Sequence, residues 1–164
     1  MSNLEMKVDA LVRLVTAEDG TSYDSAKAEL LSLAGKGRQS NETNRQKMMV
    51  KMIEDTLTKM GMPNAIRGFR YCTEAVQQAV EDPKILGNLT KRLYPSVAEV
   101  CGTTAPRAEQ AIRHGVEAIW TRGNPEHLNE MFGYSVDINR GKPTNSEFVA
   151  RISNLIRRQF QDAA

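Results

Sequence analysis

The chain has 164 residues, enough to bury a core of its own without help from a metal or a disulfide. Hydrophobic residues make up 40% and aromatic residues only 5% of the sequence, which favours an all-α fold over a β-sandwich. The net charge is only +2, so binding to nucleic acid would depend on where the charges lie. Residues 140–158 contain five basic side chains and one acidic side chain, and they are the clearest local positive cluster.

The two cysteines, Cys72 and Cys101, lie among apolar residues without the CxxC spacing of a metal or redox site. We expect both to be buried thiols in a reducing compartment. The first residues of the chain contain acidic side chains and no long apolar run, so neither a signal peptide nor a membrane span is predicted. These features predict a cytoplasmic protein.

Taken in chain order, the N-terminal segment is predicted to form two amphipathic helices, over residues 4–15 and 22–33. Gly35 and Gly37 are predicted to end the second of these helices, and residues 38–44 to form a polar connector. A third helix follows over residues 49–60 and ends at Gly61 and Pro63. We therefore divide the chain into a helical N-terminal segment, residues 1–45, and a second domain, residues 46–164.

The second domain continues with predicted helices over residues 65–80, near 86–94 and around 126–132. The last helix follows Thr144, which forms a T-x-x-E capping box with Glu147. Each of these segments carries an apolar face. The predicted fold class is all-α.

The pattern of residues 94–114 predicts a helix-turn-helix. A short helix ends at Cys101, and Gly102 tolerates the left-handed conformation that the turn needs. Thr103 or Thr104 can cap the next helix, and Pro106 lies in its first turn, where a missing N–H costs little. Because this motif places its second helix in the major groove, double-stranded DNA is the predicted partner.

The second helix of the motif has two distinct faces at about 100° per residue. The packing face is predicted to contain Ala108, Ile112, Gly115, Val116 and Ile119, and the opposite face Pro106, Gln110, Arg113 and Glu117, flanked by Arg107, Glu109 and His114. Since the N-terminal part of such a helix reaches base edges, the predicted base-reading residues are Arg107, Glu109, Gln110 and Arg113. The alternative is that these are ordinary solvated helix residues, which a bare helix-turn-helix pattern does not exclude.

Phosphate contacts are predicted for six other residues, although any of them could be plain surface charge. They are His114, Arg122, Arg140, Lys142, Arg151 and Arg158. His114 and Glu117 have the i, i+3 spacing of metal ligands, but no third ligand lies nearby, so no metal site is predicted. Without a nucleophile–base pair, a metal cluster or a phosphate-binding glycine loop, we predict no enzyme activity and no cofactor.

Several motifs resemble one known family, the C-terminal effector domain of the sporulation response regulator, stage-zero sporulation protein A. They are Gly61-Met62-Pro63, Ile66-Arg67-Gly68, Leu89-Thr90-Lys91-Arg92-Leu93-Tyr94-Pro95, Thr104-Ala105-Pro106-Arg107, Ala111-Ile112-Arg113-His114, Trp120-Thr121-Arg122-Gly123-Asn124, Phe132-Gly133-Tyr134 and Lys142-Pro143-Thr144-Asn145-Ser146-Glu147-Phe148. The resemblance runs from about residue 52 to residue 158. It implies a six-helix domain whose fourth helix reads a TGTCGAA-like box, and a transcription regulator from a sporulating bacterium.

Two departures from the family pattern lie in the reading helix. Pro106 stands where the family usually has Ser, and Gln110 stands where it usually has Arg. Losing an arginine fork at a base-reading position changes discrimination by about 1–3 kcal/mol, so the sequence predicts a related but altered box.

In the family, a phosphorylatable receiver precedes the effector domain. About fifty residues are too few for that α/β domain, and no apolar strand-like run leads to Asp9, Asp19 or Asp24. Control by receiver phosphorylation is therefore not expected here.

The sequence allows two roles for the N-terminal helices. They can pair with a second copy of the chain, or they can pack onto the effector domain. The function also has an alternative, a non-catalytic interaction protein that pairs with or antagonises a full-length regulator without productive DNA binding.

Overall fold

The computed structural model describes residues 5–9, 11, 20–133 and 141–162, and every regular element within them is helical. The α-helices are α1 (Gly20–Lys59), α2 (Arg67–Glu81), α3 (Tyr94–Cys101), α4 (Ala105–Arg122), α5 (Pro125–Phe132) and α6 (Asn145–Asp162). A 3₁₀-helix (Pro83–Gly87) and a π-helical turn (Leu89–Leu93) connect α2 to α3. The predicted all-α class is confirmed.

The chain divides into two compact units, residues 1–47 and residues 48–164. The second unit contains the end of α1 together with the five helices from α2 through α6. The described residues of this unit therefore form the six α-helical elements expected from the resemblance. In the first unit, residues 5–9 are helical, and the rest of the helix predicted over 4–15 lies mostly outside the described residues.

The predicted helix end at Gly35 and Gly37 and the predicted connector over 38–44 are wrong, because α1 runs without a break through both. A glycine inside a helix costs about 1 kcal/mol but, unlike proline, keeps its backbone N–H for hydrogen bonding. The polar side chains that suggested a connector bond within the helix instead. Ser40 Oγ donates to the carbonyl of Gly37 at 3.0 Å, and Thr43 Oγ1 donates to the carbonyl of Gln39 at 2.9 Å.

The N-terminal unit contains a close approach between its two helical segments. The Lys7 Nζ atom lies 3.1 Å from the position that a Cβ added to Gly37 would take. Leu30, Leu33 and Gly37 share one face of α1 and are half-buried, whereas their neighbours along the helix are exposed. Residues 5–9 therefore lie beside the middle of α1.

The core of the second unit has an aromatic centre. Phe132 of α5 stacks on Phe148 of α6 with ring centroids 6.1 Å apart, and Trp120 of α4 meets Phe132 edge-to-face at 5.2 Å. Such pairs contribute about 0.5–1.5 kcal/mol beyond their buried area. Ile53 and Leu57, at the end of α1, are fully buried in the same core. This packing holds the C-terminal end of α4.

The cysteines are free thiols with different surroundings. Cys72 is fully buried, and burial raises the pKa of its thiol, whereas Cys101 is only partly buried. Within the described ranges, no group of three or more His, Cys, Asp and Glu side chains is placed to hold a metal ion. None of the described helices combines the length and the apolar character that crossing a membrane requires.

Candidate nucleic-acid interface

The turn between α3 and α4 has the geometry of a helix-turn-helix. Gly102 adopts the left-handed conformation, with φ 66° and ψ 43°. Its N–H donates to the carbonyl of Glu99 at 3.4 Å, and the N–H of Thr103 donates to the carbonyl of Ala98 at 2.9 Å, which closes the end of α3. Thr104 is the N-cap residue of α4 in extended conformation, but its side chain makes no capping hydrogen bond. The predicted turn is confirmed. Thr104 occupies the predicted N-cap position, but the expected hydrogen bond to its hydroxyl group is not formed.

The two faces of α4 are those predicted from its sequence. Its buried residues are Ala108, Ile112, Gly115, Val116 and Ile119. Pro106, Gln110 and Arg113 are exposed on the other side, and Glu117 is half-buried there. The helix therefore presents a polar face while its apolar face packs on the domain.

The four residues predicted to read bases lie together on the exposed face of the first three turns of α4. Arg107, Gln110 and Arg113 are exposed, and Glu109 is half-buried. Arg113 Nη2 donates to Glu109 Oε1 at 2.8 Å, a one-turn ion pair. This contact holds the Arg113 guanidinium along the helix surface and leaves part of its fork accessible, since 59% of the side chain stays exposed.

A buried amide joins three helices beneath this face. Asn145, the first residue of α6, is buried, and its Nδ2 donates both to Tyr94 Oη at 3.1 Å and to the carbonyl of Glu109 at 3.2 Å. Burial raises the pKa of Tyr94, and the hydrogen bond from Asn145 acts in the opposite direction. Because Tyr94 belongs to α3 and Glu109 to α4, Asn145 fixes the two helices of the motif relative to α6. Sequence reasoning did not single out this role.

Two grooves flank the exposed face of α4. The first has a volume of about 660 Å³ and lies between α2 and α4, and its polar lining comes from Arg67, Tyr71, Thr103, Arg107, Gln110 and His114. The second has a volume of about 390 Å³ and lies between α4 and the start of α6, and its polar lining comes from Tyr94, Arg113, Lys142, Thr144, Asn145 and Ser146. Both grooves open beside the predicted base-reading residues.

The residues predicted to contact phosphates do not all lie near these grooves. His114 is exposed and lines the first groove, and Lys142 lines the second, where it donates to Glu117. Arg151 Nε instead donates to the carbonyl of Met131 at 2.6 Å, so this guanidinium binds the end of α5. Arg122 and Arg158 are exposed and line neither groove. The remaining candidate, Arg140, lies outside the described residues.

One basic residue beside α4 was missed by sequence reasoning. Arg67, the first residue of α2, is exposed and lines the first groove together with Arg107 and His114. The signal that could have found it is the neighbouring Gly68. A Cβ on Gly68 would lie 2.5 Å from the carbonyl oxygen of Ala111, so α2 and α4 are in backbone contact there.

A family model described as "Sporulation initiation factor Spo0A C terminal" matches residues 53–156. The match covers more than half of the chain and includes the whole helix-turn-helix. It confirms the resemblance inferred from the motifs. The family is one of DNA-binding effector domains in the regulation of sporulation transcription, and it is not a catalytic family. The chain therefore belongs to the Spo0A C-terminal family of DNA-binding effector domains.

Proposed function

We propose that this protein is a sequence-specific transcription regulator that inserts the N-terminal half of α4 into the major groove of DNA. The observation that carries the proposal is the division of α4 into a buried face and an exposed face that presents Arg107, Gln110 and Arg113. Its site of action would be the cytoplasm of a sporulating bacterium.

Each residue of the reading set suits a different base edge. The two arginines, Arg107 and Arg113, can each donate a bidentate pair to guanine, Gln110 can bridge the adenine edge, and Glu109 can accept from cytosine. The ion pair between Glu109 and Arg113 is exposed, and such pairs contribute only about 0.3–0.5 kcal/mol. Base contacts can therefore replace it at little cost.

The box that the protein reads is proposed to be TGTCGAA-like but altered. Gln110 is the reason, because an amide offers both an N–H donor group and an oxygen acceptor, whereas an arginine offers only donors. Gln110 is exposed on the reading face, so a base edge can reach it.

We also propose that the residues before the family match do not act as a phosphorylatable receiver. A receiver needs a parallel β-sheet, whereas the described residues of this segment are helical. Treatment with a small-molecule phosphodonor should leave DNA affinity unchanged. A phosphate-dependent gain in affinity would contradict this part of the proposal.

For the N-terminal unit we propose a role in pairing two copies of the chain, which suits tandem or two-fold sites on DNA. The test compares the oligomeric mass of the full chain with that of a form lacking residues 1–40. Equal oligomeric states for the two forms would remove the pairing role.

Selection from a randomised DNA pool at physiological salt tests the main proposal. The parent should enrich one box, and the Arg113→Ala variant should lose the preference at one base position of that box, because Arg113 is one of the two proposed guanine readers. Arg92→Ala is the matched control, since it removes an exposed arginine that is paired with Asp82 and lines neither of the two grooves beside α4. If the parent enriches no box, the proposal fails and the interaction-protein alternative replaces it.

A further inference from the structure

The charges on the two sides of α4 are distributed unequally. In the second groove, both basic side chains are already paired, Arg113 with Glu109 and Lys142 with Glu117. In the first groove, the basic side chains are Arg67, Arg107 and His114, and no carboxylate is among its lining residues. Within the described part of the chain, none of these three forms an ion pair or a side-chain hydrogen bond. The protein therefore presents uncompensated positive charge on one side of α4.

The position of Arg67 follows from the backbone contact between α2 and α4. Gly68, the next residue, has no side chain, so α2 approaches α4 closely enough to bring Arg67 beside Gln110 and His114. Thr103, from the turn before α4, adds a hydroxyl donor at the same groove. The polar groups of this groove therefore come from α2, from α4 and from the turn between α3 and α4. The residues proposed to read bases come from α4 alone.

We propose that the groove between α2 and α4 holds the sugar–phosphate backbone of one DNA strand, with Arg67, Thr103 and His114 as its phosphate contacts. This inference rests on the proposed function and adds the direction of docking, since it places a backbone on the α2 side of α4. The second groove, whose cations are neutralised by Glu109 and Glu117, attracts phosphates more weakly.

Phosphate contacts and base contacts have different signatures. A phosphate is the same at every sequence, so losing Arg67 should weaken binding to all boxes equally. Each phosphate neutralised by a cation also releases counterions, which makes the slope of log affinity against log salt more negative by about 0.9. Removing one such contact should therefore weaken binding about fivefold at physiological salt and make this slope less negative by about one.

The experiment measures DNA affinity as a function of salt for the parent, Arg67→Ala, Arg67→Lys and Arg92→Ala, on the selected box and on a box with one altered base. We expect Arg67→Ala to lose about one unit of slope and to weaken binding to both boxes by the same factor. Arg67→Lys should restore the slope because it keeps the charge. Arg92→Ala should behave like the parent, which controls for the change in net charge.

If the parent binds its box and Arg67→Ala shows the same salt slope as the parent, this inference is overturned. The proposed function would then remain in place. A changed base preference in Arg67→Ala would also overturn it, because Arg67 would then read bases. If the parent bound no box, the proposed function and the inference would fail together. Since Arg67 is exposed, its substitution leaves the core intact, and circular dichroism checks that each variant is folded.

Discussion

Gly68 of α2 and Gly115 of α4 meet where the two helices cross, and a Cβ added to Gly68 would lie 3.0 Å from the Cα atom of Gly115. The contact is between backbones, since the same Cβ would lie 2.5 Å from the carbonyl oxygen of Ala111. A backbone atom cannot rotate away as a side chain can. The crossing therefore fixes both the packing of α4 and the width of the groove beside it.

Gly68→Ala should lower the free energy of unfolding by about 1–3 kcal/mol, because the new methyl group forces the helices apart. Urea denaturation followed by circular dichroism measures the change. Gly87→Ala is the control, since a Cβ there meets nothing within 4 Å, and it should be nearly neutral. Equal stability of the two variants would mean that the crossing can widen without cost.

Asn145→Asp should destabilise the domain by about 1–3 kcal/mol near neutral pH. The carboxylate has the shape of the amide but cannot donate to Tyr94 Oη or to the carbonyl of Glu109, and it would add a charge to a buried position. Thermal and urea unfolding report the loss. Asn154→Asp, at an exposed position of the same helix, should change stability little. A parent-like Asn145→Asp would show that the amide does not hold the motif in place.

Thr144→Ala should lower the free energy of unfolding by about 1 kcal/mol, because both hydrogen bonds of the capping box at the start of α6 are formed. The N–H of Glu147 donates to Thr144 Oγ1 at 3.2 Å, and the N–H of Thr144 donates to Glu147 Oε2 at 2.9 Å. Thr144→Ser keeps the hydroxyl and should retain most of the stability. If both substitutions had the same effect in urea denaturation, the hydroxyl would not be the stabilising group.

Acid should remove the contribution that the ion pair between Glu117 and Lys142 makes to the stability of the folded protein. The hydrogen bond from Lys142 lowers the pKa of Glu117, so the folded state binds the proton less readily than the unfolded chain does. The stabilisation is therefore complete above the ordinary carboxyl pKa and is lost as the pH falls through the lowered value. The parent should exceed Glu117→Gln in stability near neutral pH, and this difference should shrink in acid and in high salt. A difference that grew on acidification would contradict the assignment.

The helix-turn-helix could be predicted in detail because its signals are local. Gly102 allows the left-handed turn, and the apolar spacing of α4 identified all five of its buried residues. The course of α1 could not be predicted, since Gly35 and Gly37 look like a helix end although the neighbouring residues keep the helix intact. A glycine signals a possible end, and the hydrogen bonds of its neighbours decide the outcome.

The surroundings of α4 were harder to predict than α4 itself, because they depend on contacts between residues distant in sequence. Arg67 lies beside His114, and Asn145 bonds to Tyr94, only after α2 and α6 have packed on the motif. In the same way, charge alone suggested a phosphate role for Arg151, whose guanidinium binds a carbonyl of α5.

The side chains proposed to contact DNA and the five buried side chains of α4 are separate sets. Substitutions at Gln110 or Arg113 therefore remove no side chain from the buried face of α4. The domain is therefore a suitable scaffold for engineering. Libraries randomised at Arg107, Gln110 and Arg113 can be searched for new base preferences with little loss of folded protein.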